Sequence, residues 1–174
     1  MNLFILRLTL AFVLVATRQP GAPSVTPPSN DLPGIAFYNG SWKDVLAEAK
    51  RQNKPIFLDL YTSWCPPCGR MAREAFPNPQ VGEKYNARFV NYQVNAEYGP
   101  GIDLARAYAV ASYPTVLYIA PNGELMQRSV GYTGINGLLT QADMALAIPK
   151  LRKYLAKGAK AARAYSDSLR RLEK

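Results

Sequence analysis

Ile56-Phe57-Leu58-Asp59-Leu60-Tyr61, followed at once by Thr62-Ser63-Trp64-Cys65-Pro66-Pro67-Cys68, is the stretch on which the reading of this chain turns. Its first six residues are apolar at nearly every position instead of alternating, the pattern of a central parallel strand buried on both faces. A helix predicted to start around Cys65 and fade by Phe76-Pro77 puts both cysteines of the chain in its first turn. There, unpaired N–H groups and the positive end of the helix dipole favour a thiolate. The gain is ~0.3–1 kcal/mol, up to ~2 kcal/mol when partly buried, enough to lower a thiol pKa by about one unit. Cysteines three apart can close a small ring reversibly. Cys65 is therefore expected to be the exposed nucleophile. Cys68, one turn in and shielded, is expected to be the resolving thiol that attacks a mixed disulfide.

Three other uses of the pair compete with redox chemistry. A zinc site needs four ligands, and the chain has no further cysteine and no histidine. A purely structural disulfide gains little from so small a loop. Two inert buried thiols sit poorly beside two prolines and a tryptophan. Without histidine, serine-histidine hydrolysis and cysteine-histidine proteolysis also drop out. Dithiol exchange calls for no metal and no cofactor.

Working outward, Ser41-Trp42-Lys43-Asp44 has the form of a capping box and opens a helix to about Asn53, ended by Lys54-Pro55. After the cysteine-bearing helix, a short helix over 79–85 leads to a strand over 88–94, then a helix over 102–109 and a strand over 115–120. Asn122-Gly123 is a hairpin-turn signal, with Leu125–Val130 as the returning strand. A last domain helix runs from about Asn136 to Ile148, where Pro149 is expected to interrupt it. This order describes an α/β sandwich with a mixed sheet. Within it Asp59 interrupts a run buried on both faces, so burial should raise its pKa.

Phe57 through Cys68 resembles the strand-to-active-site segment of thioredoxin-fold proteins, and Ser112-Tyr113-Pro114-Thr115 resembles their second signature, the loop whose proline is cis. Lys54-Pro55-Ile56 through Gln80-Val81 is most similar to exported thioredoxin-like proteins, including the C-terminal domain of DsbD-type thiol:disulfide reductases. The resemblance covers roughly residues 35–148. It implies a thioredoxin fold with a mixed sheet of about four to five strands flanked by helices, extended here by a C-terminal helix. It also implies that Asp59 accepts or donates a proton near Cys68 through water, the alternative being a structural hydrogen-bonding role. A cis peptide at Pro114 sets the Tyr113 backbone beside Cys65, ready to pair with an extended substrate. Trp64 forms an apolar rim there, against the alternative of core packing; Pro66 and Pro67 complete the expected substrate-facing surface.

The sequence departs from the family pattern in two places, of which the first bears on the direction of electron flow. Pro66-Pro67 removes two backbone N–H groups near the thiolate, and Gly69 weakens the helix by about 1 kcal/mol against Ala. With fewer donors and no histidine, the thiolate is less stabilised and the pair comparatively reducing. The expected function is a thiol:disulfide oxidoreductase reducing protein disulfides. The alternatives are a disulfide oxidase or isomerase, and a non-catalytic module that grips extended peptides. A reductase outside the cytoplasm needs a membrane-bound or other thiol electron donor.

The 174 residues are 48% hydrophobic and 19% charged, enough apolar content for one domain with appendages. The net charge of +9 is unevenly spread. Residues 20–149 balance ten basic against ten acidic side chains, whereas residues 150–174 carry nine Lys or Arg against Asp167 and Glu173. A basic domain surface for nucleic acid is therefore not supported. Arg7 followed by the uncharged run Leu8 to Thr17 has the pattern of a secretory signal peptide or short anchor, assigned to residues 1–19. Five prolines among residues 20–34 mark a linker, residues 35–148 form the domain, and residues 149–174 a basic helical tail. The expected location is periplasmic or secreted. Leu151, Tyr154, Leu155, Ala162, Tyr165, Leu169 and Leu172 fall mostly on one face of the tail. That stripe is expected either to dock on the domain or, with the basic residues, to meet an anionic membrane or an acidic partner.

Overall fold

A computed structural model of the protein describes residues 34–172, and side chains through Ala164. The targeting segment over 1–19, nearly all of the linker, and the stripe positions Tyr165, Leu169 and Leu172 lie outside the described residues or side chains. Helix α1, Trp42–Gln52, starts as its capping box requires: the Ser41 hydroxyl accepts from the Asp44 N–H at 3.3 Å while the Asp44 carboxylate accepts from the Ser41 N–H at 3.1 Å. Asn53 closes it in the left-handed region, φ 50°, a conformation asparagine tolerates better than most residues. Strand β1, Ile56–Tyr61, follows and is buried at every position but the last.

β1 lies inside a four-stranded mixed sheet. It pairs in parallel with β2, Val90–Asn95, and antiparallel with β3, Thr115–Ile119; β3 pairs antiparallel with the edge strand β4, Leu125–Val130. Alternation along β1 divides the core between two faces. Ile56, Leu58 and Leu60 meet Val45 and Ala49 of α1, and Leu104 and Ala105 of α4, Pro100–Ala107. Phe57 points the other way, into Met71, Val81, Tyr85, Leu138 and Ala142. These belong to α2, Pro66–Glu74, α3, Pro79–Arg88, and α5, Gly134–Leu172. Asp59 shares the Phe57 face, so the sheet holds it beneath the helix that carries Cys68.

Several boundaries differ from expectation. α3 runs to Arg88 instead of Tyr85, because Tyr85 is wholly buried and the Phe89 N–H continues the ladder to its carbonyl. β2 accordingly spans Val90–Asn95 and not 88–94. α4 begins two residues early, with Pro100 at its first position, where its fixed φ suits a helix start. The larger correction is at the C-terminus. Pro149 does not interrupt the last helix: α5 is continuous from Gly134 to Leu172. Residues 150–164 are almost all Ala, Lys, Leu and Arg, strong helix formers that propagate past one lost hydrogen bond. Nor does the described part of the apolar stripe dock on the domain; every described side chain from Pro149 to Ala164 is exposed.

A buried pair of hydroxyls fastens the front of α5 to the sheet. Tyr118 donates to Tyr85 at 2.7 Å, and Tyr85 donates onward to the Leu138 carbonyl at 2.9 Å. Burial raises the pKa of both phenols, so both remain protonated donors.

Candidate functional site

Cys65 is the N-cap of α2 in extended conformation, and Pro66 and Pro67 fill the first two helical positions. Proline has no N–H to leave unpaired there, so the first amide the helix can aim at sulfur belongs to Cys68. It does so: the Cys68 N–H donates to Cys65 Sγ at 3.2 Å. The two sulfurs are joined in a disulfide, Sγ–Sγ 2.06 Å, with Cα atoms 5.3 Å apart. The expected contrast in exposure is absent, because in this disulfide state both cysteines are 6% exposed. What distinguishes them is the hydrogen bond, which the cap position gives to Cys65 alone.

Trp64 is 65% exposed, which excludes core packing. Its ring meets Tyr113 edge-on, centroids 6.2 Å apart. The Tyr113–Pro114 peptide is cis, and Pro114 is buried. Tyr113 thus stands against Trp64, the residue before Cys65; Pro66 is exposed and Pro67 half-buried.

Asp59 is 1% exposed. Gln93 Nε2 donates to its Oδ2 at 2.8 Å, while Oδ1 has no hydrogen-bond partner among the described residues. Burial pushes the carboxyl up from 3.8 to about 7, and the Gln93 hydrogen bond opposes the rise. At neutral pH such a group can take or give a proton. A cleft of about 310 Å³ opens beside it, lined by Tyr61, Thr62, Cys65, Cys68, Gly69 and Gln93. Gln93 therefore borders both the cleft that contains the cysteines and the buried carboxylate.

Gln93 and Glu97 did not emerge from the sequence. Gln93 lies opposite Asp59 only because β2 pairs with β1 in that register, which no local pattern reveals. Glu97 accepts from the Trp64 indole N–H at 2.9 Å across 33 residues of sequence. It fixes the ring that the motif left free. A larger groove between α3 and α5, crossed by the Lys84–Asp143 ion pair, contains no thiol and lies outside this constellation. Among the described residues no cluster of His, Cys, Asp or Glu could hold a metal.

Comparison with known proteins agrees with this geometry. The model of a family described as thioredoxin-like domain matches residues 42–143. The chain is 30% identical over 93 residues to the chloroplastic M-type thioredoxin of Spinacia oleracea, 53% of this chain and 46% of that one. It is 32% identical over 97 residues to the thiol:disulfide interchange protein DsbD of Pseudomonas fluorescens, 54% of this chain and 17% of that one. It thus spans less than half the length of either relative. Among solved structures, a candidate disulphide-isomerase of Bacteroides thetaiotaomicron superposes with a TM-score of 0.59 at 35% identity, over 66% of this chain and 94% of that one.

Proposed function

The chain belongs to the thioredoxin-like domain family, and from that premise we propose that it is a thiol:disulfide oxidoreductase that reduces protein disulfides outside the cytoplasm. The observation that carries the reading is the helix-start disulfide, whose Cys65 sulfur accepts the Cys68 N–H. In the reduced protein the same N–H and the helix dipole favour a thiolate at Cys65. That thiolate attacks one sulfur of a substrate disulfide, forming a mixed disulfide and releasing the first substrate thiolate. Cys68 then loses its proton to Asp59 through water and attacks Cys65 Sγ. The second substrate thiolate leaves and takes up the proton held by Asp59, and the protein is left as the disulfide seen here.

Restoring the dithiol takes two electrons and two protons from an external thiol donor. Reduction is favoured over oxidation because Pro66 and Pro67 leave a single amide at Cys65 Sγ and the chain has no histidine. Trp64, Tyr113, Pro114 and the two prolines form the substrate rim, with an extended peptide pairing to the Tyr113 backbone. Export rests on Arg7 and the short apolar run after it; the chain divides by composition at about residues 19, 34 and 148.

The test is catalysed reduction of a protein disulfide by the full chain, supplied with dithiothreitol, against C65S. Turnover lost in C65S supports the reading. Peptide binding without turnover in the wild type would make the chain a binding module instead.

A further inference from the structure

Nine large hydrophobic side chains are exposed among the described residues, and four of them, Met144, Leu151, Tyr154 and Leu155, lie on α5. Single exposed apolar residues are ordinary, but an aligned set marks a contact surface. These are aligned. At about 100° per residue, Met144, Leu151 and Leu155 share one line along the helix, with Tyr154 at its edge. The residues that seat α5 on the domain, Leu138, Ala142 and Ala145, lie about 100–160° round the helix from that line. The stripe therefore faces away from the domain. It cannot cover itself by folding back unless the helix rolls over.

The opposite side of the same segment is strongly basic. Lys150, Arg152, Lys153, Lys157, Lys160 and Arg163 occur between Pro149 and Ala164 with no acidic residue among them. Arg152 is paired with Glu124 of the domain at 2.6 Å, which braces the root of the segment. Leu151, Tyr154 and Leu155 are 56%, 75% and 59% exposed. No helix among the described residues is long and apolar enough to cross a membrane. A helix with an apolar line of Leu and Tyr and long cationic side chains on the rest of its surface suits the surface of a bilayer.

We propose that residues 150–164 form an interfacial helix that holds this domain on an anionic lipid surface. Leu151 and Leu155 enter the acyl boundary, and the lysines and arginines contact the headgroups. Charge complementarity selects anionic lipid: a neutral bilayer gains nothing from the five cations other than the paired Arg152, and a second copy of the helix repels the first. The inference is independent of the redox reading, because none of these residues touches the disulfide cleft.

The experiment is co-sedimentation of the full chain with vesicles of phosphatidylcholine alone and of phosphatidylcholine mixed with phosphatidylglycerol. Residues 1–19 are common to every variant, so the quantity read is the excess binding to the anionic vesicles. The wild type should show a large excess that falls steeply with salt. K153Q/K157Q/K160Q should lower it about fivefold per lysine, about a hundredfold in all. L151S/L155S should lower it by about a hundredfold or more while leaving binding to soluble polyglutamate unchanged. Circular dichroism and disulfide-reduction turnover should be unchanged in both variants.

Equal binding of the wild type to neutral and anionic vesicles would overturn the proposal. So would an unaltered excess in L151S/L155S, which would assign the helix to an acidic partner held by charge alone. A vesicle-independent dimer abolished by L151S/L155S would assign the stripe to a second copy.

Discussion

Replacing Asp59 with Asn perturbs the carboxyl buried under the disulfide helix. Burial moves this carboxyl from 3.8 to about 7. In the unfolded chain it ionises near its ordinary value, so between about pH 4 and about pH 7 the folded protein keeps a proton that the unfolded chain has released. The stabilising linkage is therefore full below pH ~4 and is lost as the pH rises to about 7. Above that the folded protein carries a buried negative charge with a single hydrogen bond, from Gln93. The interval from 3.8 to about 7 corresponds to ~4 kcal/mol at most. An amide of the same shape never ionises and can still accept from Gln93.

Urea titrations of the oxidised full chain, wild type and D59N, from about pH 4 to about pH 9 read this directly. The two proteins should lie within ~1 kcal/mol of each other at the acid end, with D59N the more stable by ~2–4 kcal/mol at the alkaline end. Disulfide exchange by D59N should be slower throughout. A stability difference that stays constant across the range would refute the raised carboxyl. Unchanged exchange rates would leave Asp59 a structural residue.

Three further outcomes follow from other contacts. Gln93→Leu removes the hydrogen bond that holds the Asp59 pKa down, so the pH profile of disulfide exchange should move up by about one unit; an unmoved profile would sever Gln93 from the proton step. Tyr85→Phe strips the Tyr118 hydroxyl of its acceptor and the Leu138 carbonyl of its donor. It should cost ~1–3 kcal/mol in urea unfolding, more than Tyr118→Phe, which leaves the Tyr85–Leu138 bond intact; the reverse order would contradict the assigned donor direction. In the reduced protein, iodoacetamide near neutral pH should modify Cys65 faster than Cys68, and equal rates would remove the asymmetry that the cap hydrogen bond predicts.

How much of this was legible in the sequence depends on how local each cause is. The capping box at Ser41, the apolar run of β1, the Asn122-Gly123 turn and the cysteines at a helix start are local patterns, and each element stands where its pattern placed it. The burial of Asp59 followed from the run around it. Its partner did not, because Gln93 is set against it by strand pairing across 34 residues. The same holds for Glu97 and Trp64. Pro149 misled for a different reason: a rule about one residue was outweighed by the helix-forming composition on both sides of it. Equal exposure of Cys65 and Cys68 is likewise a property of the closed disulfide against its surroundings, which spacing alone does not report.

The central claim is that Cys65 forms the covalent bond to substrate and Cys68 breaks it. Reduced C68S, mixed with a protein disulfide and quenched with acid, should accumulate a mixed disulfide that peptide mass spectrometry maps to Cys65, while reduced C65S accumulates almost none. A bridge that forms equally well through Cys68 in C65S, or no bridge in C68S at all, would contradict the account.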